Sequence, residues 1–170
     1  MEERKLCENI ILADADYIDK VAFDLTVNFE RMIGRRIPKA DMPRWADCVA
    51  LDGGIRQGEN NIQVILIHNK ETTRIENFAP SDIVKDLDGK AFKDNLGEFL
   101  FSAIPVEDMV DKEHLFCDSL MNVCSQPEVK RVMVIPNADE YYDGVRHALK
   151  NVDDDKRITV FAMQPMAGGN

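Results

Sequence analysis

The stretch Asn9-Ile10-Ile11-Leu12-Ala13-Asp14-Ala15-Asp16-Tyr17-Ile18-Asp19 decides the fold of this 170-residue chain. Ile10 to Ala13 is an unbroken apolar run of strand length that stops at Asp14, with Asp16 and Asp19 close behind. A strand that is apolar at every position is one covered on both faces, which is the situation of a central strand in a parallel sheet. Open α/β sheets place their ligand crevice at the carboxyl ends of such strands. The acidic residues there have two readings. Grouped at a strand end, they suit a metal or a phosphate site. As Asp residues at the head of a helix, Asp14 or Asp16 equally serve as its N-cap.

Outward from this run the same alternation repeats. Ile62 to Ile67, Val132 to Ile135 and Ile158 to Met163 are further apolar strand segments. Between the first two, a helix is expected over about Asp16 to Ile33, with Ile18, Val21, Ala22, Leu25, Phe29, Met32 and Ile33 at helical spacing and Gly34 as its stop. Arg31, Arg35, Arg36 and Lys39 form the densest basic group in the chain and read as a solvated helix end that complements the macrodipole. Asp41 caps a second helix with Pro43 just inside its start, Asp52 borders its apolar stripe, and Gly53-Gly54 with Gly58 ends it. Lys112 to Cys124, and the segment that follows Pro136-Asn137-Ala138-Asp139-Glu140 through Asn151, supply two more helices.

The middle, residues 68–110, is the least regular part and reads as an insertion or flap beside the sheet. Within it, Thr72 to Phe78 reads as a short strand, Ser81 or Asp82 as the start of a helical turn, Asp88-Gly89 as a turn and Phe99 to Val106 as another strand. The whole pattern predicts one α/β domain over residues 1–170. It is a three-layer, Rossmann-like domain with a mainly parallel sheet of about five strands, helices on both faces and right-handed crossovers. The runs at Ile10, Ile62, Val132 and Ile158 are expected to be adjacent parallel strands.

Composition narrows the function. Hydrophobic residues make up 45% of the chain, enough for a substantial core, and the net charge is -10, from 31 acidic and 21 basic side chains. Such a balance disfavours a broad footprint on nucleic acid or on an anionic membrane. No apolar run approaches the ~20 residues that span a bilayer. Cys7, Cys48, Cys117 and Cys124 make neither a CxxC pair nor a zinc spacing, which points to a reducing, cytoplasmic setting without disulfides. His68, His114 and His147 lack metal-ligand spacing, and Gly53-Gly54-x-x-x-Gly58 is too loose for a phosphate loop.

The remaining chemistry lies in three acidic positions at strand ends or on nearby helices: Asp14 with Asp16, Asp47 with Asp52, and Asp139 with Glu140. If Asp14, Asp52 and Glu140 converge, oxygen ligands of this kind suit Mg²⁺ or Mn²⁺. Their like charges would repel without the ion, and Asp14→Asn would then leave stability unchanged or raise it.

Ile11-Leu12-Ala13-Asp14, Trp45-Ala46-Asp47-Cys48-Val49-Ala50-Leu51-Asp52 and Val132-Met133-Val134-Ile135-Pro136-Asn137-Ala138-Asp139-Glu140-Tyr141 follow one another as a strand ending in Asp, a helix with an inner Asp, and a strand before an acidic signature. In this order the chain resembles the PIN-like nucleases, especially their NYN branch. The resemblance implies a divalent-metal-dependent nuclease acting on single-stranded RNA, with Asp14, Asp52 and Glu140 as catalytic metal ligands and Asp16, Asp47 and Asp139 in support. Ala138 stands where the signature has its first Asp, and Glu140-Tyr141 replaces Asp-Phe. These departures imply the alternative of a non-catalytic module of the same fold that binds a protein partner, for which Phe92, Phe99 and Phe101 would form the exposed patch unless they are core residues, the commoner place for aromatic side chains. Asp14-Ala15-Asp16 also resembles the nucleophile motif of haloacid-dehalogenase-type phosphatases, which would make Asp14 the nucleophile and Asp16 the general acid. The chain is similar, finally, to an uncharacterised single-domain family of Bacteroidetes proteins, from which no activity follows.

Overall fold

The computed structural model describes residues 6–150, 152 and 155–161. The first apolar run forms β1, Asn9–Asp14, buried at every position. It passes without a loop into α1, Ala15–Ile33, whose N-cap is Asp14. Gly34 ends α1 in the left-handed region at φ 71°, and its N–H reaches Glu30 O at 2.9 Å. A two-residue strand, β2 (Ala40–Asp41), leads into α2, Met42–Asp52, and Asp41 Oδ1 accepts the Arg44 N–H at 3.1 Å as the cap. Next come β3 (Asn60–Asn69), the short β4 (Phe78–Ala79), a π-helical turn over Ile83–Leu87, β5 (Ala91–Asp94) and β6 (Gly97–Val106). The rest of the chain supplies α3 (Lys112–Cys124), β7 (Arg131–Ile135), α4 (Tyr142–Leu149) and β8 (Arg157–Val160).

The strands form one sheet in the order β5-β6-β3-β1-β7-β8, and β2 pairs with β4 apart from it. The pairs β6–β3, β3–β1, β1–β7 and β7–β8 are all parallel, and among the described residues of this sheet only the β5–β6 pair is antiparallel. The runs at Ile62, Ile10, Val132 and Ile158 are therefore consecutive parallel neighbours. Side chains alternate along each strand between two apolar layers. On one face Ile11, Ala13, Val64, Leu66 and Met133 pack with Ile18 of α1 and with Met42, Ala46 and Val49 of α2. On the other, Ile10, Leu12, Ile65, Val132 and Val134 pack with Phe116 and Leu120 of α3 and with Val145 of α4. Each fully buried Ile or Leu contributes roughly 1.5–3 kcal/mol, so Ile10, Ile11 and Leu12 of β1 and Ile62, Leu66 and Ile67 of β3 are major sources of hydrophobic stabilisation.

Three expectations change. The sheet is mixed and has six strands, because the middle region adds the β5–β6 hairpin. Phe92 stacks on Phe99 with ring centroids 4.6 Å apart, and Phe99 and Phe101 are buried, so this trio is core rather than an exposed patch. The strand expected over Thr72 to Phe78 shrinks to β4 and a lone bridge between Arg74 and Asp82. The last helix begins at Tyr142, after the Pro136–Glu140 segment as expected, and Asn137 Oδ1 accepts the N–H groups of Asp139 and Glu140 in the turn before it. Asn151, the end of the strand expected to reach Met163 and the final tail lie outside the described residues.

The apolar stripe of α1 also divides. Ile18 and Val21 are buried, whereas Phe29 is 51% and Met32 79% exposed. A 19-residue helix is about 28 Å long and the six-residue β1 about 20 Å, so the helix outruns the strand it covers. Among the described residues no helix is long and apolar enough to cross a membrane.

Candidate functional site

Numbered in chain order, the parallel strands run 3-2-1-4-5, and the order reverses between β1 and β7. The carboxyl ends of strands beside such a reversal frame a crevice. Asp14 ends β1 there and is completely buried. Its Oδ1 accepts the Tyr17 N–H at 3.1 Å and lies 3.0 Å from Lys112 Nζ, and its Oδ2 accepts the Tyr141 hydroxyl. Asp16, in the first turn of α1, accepts the Asn69 N–H at 2.7 Å, the Thr72 hydroxyl and Lys112 Nζ at 2.7 Å. Lys112 opens α3 after β6, Asn69 ends β3, and Tyr141 precedes α4 after β7. Four consecutive strand ends thus deliver one ammonium, two carboxylates and a phenol to the same point.

Electrostatics holds this cluster in one protonation state. Burial pushes the Lys112 ammonium down, but the charges of Asp14 and Asp16 outweigh it and hold the group above its usual range. Burial pushes Asp16 up, yet the hydrogen bonds from Lys112, Thr72 and the Asn69 amide outweigh it and hold the carboxyl below its usual range. Burial and then the Asp14 charge push the Tyr141 phenol up, so it remains a neutral donor. Both oxygens of Asp14 are thus hydrogen-bonded to protein groups. A divalent ion between Asp14 and Asp16 would have to occupy the place of the Lys112 ammonium, whose side chain is only 16% exposed. The residues present do not fit Mg²⁺ or Mn²⁺ in this arrangement. Among the described residues, no group of three or more His, Cys, Asp or Glu side chains is placed to share an ion.

The other expected site residues lie apart. Asp52 ends α2 and lines a cleft with Arg131 and Arg157, at the opposite edge of the sheet. Asn9 pairs with Arg131, and Asp14 lies five residues further along β1, roughly 17 Å at ~3.3 Å per residue. The structure therefore does not bring Asp52 to Asp14. Asp139 lies 3.7 Å from Lys20 on the rim of the crevice, and Glu140 Oε2 accepts from Asn137 Nδ2 at 3.2 Å. Asp47 meets a different carboxylate, Asp94. Its Oδ1 is buried without a donor, and burial together with Asp94 pushes its carboxyl up to about 7. A carboxyl raised this far is one that keeps its proton near neutral pH, which lowers the repulsion with Asp94. His68 is buried with Nδ1 2.8 Å from Asn69 O.

Lys112, Thr72 and Tyr141 were not singled out by sequence as site residues. Lys112 stands at a helix start, where a lysine ordinarily faces water, and Tyr141 fits an apolar helix face. The one available signal was their place just after β6 and β7. No curated protein and no solved structure matches the chain. The model of a family described as "Family of unknown function (DUF6621)" matches residues 3–170, and the chain belongs to that family.

Proposed function

We propose that the protein is a non-catalytic interaction module of Rossmann-like, PIN/NYN-like type, in which Lys112 serves as the internal counter-ion of the acidic strand end. The observation that carries this reading is the position of Lys112 Nζ, 3.0 Å from Asp14 Oδ1 and 2.7 Å from Asp16 Oδ2. An ammonium there neutralises the carboxylates that a nuclease of this type would offer to its metal. A buried ion group of this kind supports a particular packing arrangement rather than a reaction.

The surface that suits a partner is the distal half of α1. Phe29, Met32 and Ile33 are exposed there beside Arg31, Arg35 and Arg36. In a chain of net charge -10 this is a local basic and apolar patch, complementary to an acidic protein segment with apolar side chains. Titration of Mn²⁺ into the wild type, with melting temperature and single-stranded RNA cleavage followed in the same buffer, tests the reading. Neither a Mn²⁺-dependent rise nor cleavage is expected. A rise accompanied by cleavage would establish the nuclease instead.

A further inference from the structure

The amino-terminal edge of the sheet, opposite the Asp14 cluster, carries a second site. Two contiguous clefts of about 480 and 490 Å³ share Gly54, Ile55, Arg56, Arg131 and Arg157. Arg131 begins β7, Arg157 begins β8, and the two are register partners on neighbouring strands. Like charges directly opposite one another in a sheet are destabilising unless something neutralises them. Among the described residues neither arginine forms an ion pair, and neither does Arg56, although the chain carries 31 acidic side chains. Asp52 lines one of the clefts without pairing with any of them.

The cleft is also held in shape. Arg131 Nη1 donates to Gly53 O at 2.7 Å, and a Cβ on Gly54, whose φ is 94°, would fall 2.5 Å from that nitrogen. A glycine at 54 is what lets the guanidinium lie across the end of α2. The loop that carries Arg56 is pinned on both sides: Asn60 Nδ2 donates to Arg56 O at 2.7 Å, and the Gly58 N–H donates to Asn95 O at 3.0 Å. The Gly53-Gly54-Ile55-Arg56-Gln57-Gly58 segment therefore forms a fixed wall facing Arg131 and Arg157.

We propose that this cleft binds a small organic phosphate carrying two or more phosphoryl groups. Guanidinium forks match phosphoryl oxygens bidentately, and three of them supply the charge for more than one such group. The cavity has the size of a small-ligand pocket. A long nucleic acid is the poorer occupant, because the net charge of -10 repels a polyanion over distances at which the cleft no longer acts.

The test is calorimetric titration of the full chain with inorganic pyrophosphate, ADP and single-stranded RNA at moderate salt. Saturable binding of pyrophosphate or ADP is expected, weakened about tenfold or more in Arg56→Gln/Arg157→Gln, the scale of one lost charge-assisted hydrogen bond. Lys90→Gln/Lys93→Gln, which removes the same charge from the β5 edge, is expected to bind as the wild type does. Unchanged circular dichroism shows that the arginine variant is folded. The proposal is overturned if neither phosphate compound binds saturably, if both double variants weaken binding equally, or if RNA binds more tightly than ADP. The Asp14 cluster plays no part in this test, so its outcome is separate from that of the Mn²⁺ titration.

Discussion

Lys112 Nζ stands 3.0 Å from Asp14 Oδ1 across a sequence separation of 98 residues, and it is the cation that balances the carboxyl end of β1. Lys112→Met leaves Asp14 and Asp16 facing one another with no counter-charge. Breaking such a pair by removing one partner costs about 2–4 kcal/mol after allowance for the part-exposed Asp16, or roughly 5–15 °C in melting temperature. Adding Asp16→Asn is expected to return part of the loss, because the two residues share one network. A Lys112→Met protein that melts with the wild type would show that the cluster does not hold the fold together.

Asp14→Asn now has the opposite sign from the one expected of converging metal ligands. Asn keeps a cap oxygen for the Tyr17 amide but loses the charge that faces Lys112 and the acceptor that serves Tyr141. The expected cost is about 2–4 kcal/mol by urea unfolding. The pH window follows from the shifts of its neighbours. Asp16 is held below its usual range, so its contribution is complete above ~4 and is lost as pH falls through its folded value. Lys112 is held above its usual range, so its contribution is complete below ~10 and is lost as pH rises through its folded value. The stability that Asp16 and Lys112 lend the cluster should therefore be greatest between these limits.

The Asp47–Asp94 pair works the other way. With its carboxyl raised to about 7, Asp47 keeps in the folded state a proton that the unfolded chain has already released. Stability should fall as pH rises from ~4 to about 7 and level off above it. Asp47→Asn should remove that slope and raise the melting temperature at pH 8 by a few degrees, roughly 1 kcal/mol after solvent screening is counted. Melting curves at pH 5 and pH 8 for both proteins decide the matter, and equal slopes would refute the raised Asp47 carboxyl.

Gly97 opens β6 at φ 132°, and a Cβ there would fall 2.0 Å from Asn60 O. Gly97→Ala strains the backbone and collides with a main-chain atom of the neighbouring strand, so a loss of about 3 kcal/mol is expected. Gly89→Ala is the contrasting case. It shares a positive φ, 78°, but meets nothing within 4 Å, so its cost should be about 1 kcal/mol by the same denaturation assay.

The layered architecture was legible in Ile10 to Ala13 and its counterparts because a strand covered on both faces must be apolar at every position. Asp14 was legible as a site residue for the complementary reason, being the first polar group after such a run. Asp52 was misplaced although elementary geometry locates it. α2 ends shortly before β3, and a strand parallel to β1 begins at the amino edge of the sheet, so the last residue of α2 does not share the crevice with the last residue of β1. Lys112 was illegible because its partners lie 96 and 98 residues away and a lysine at a helix start looks solvated. The distal stripe of α1 misled because spacing reports which face is apolar, not whether anything covers it.

The bond between Tyr141 and Asp14 closes a loop of 127 residues. Loop closure of that length is entropically late, so the bond has no counterpart in a transition state built from nearer contacts. If so, Asp14 stays a solvated carboxylate until β7 docks. Substitutions at Tyr141 then act on escape from the native state rather than on arrival at it. Tyr141→Phe should speed unfolding about tenfold, the rate equivalent of ~1.4 kcal/mol, while the refolding limb of the chevron stays where it is. The crevice is in this sense a latch, and its value to the protein is measured in lifetime.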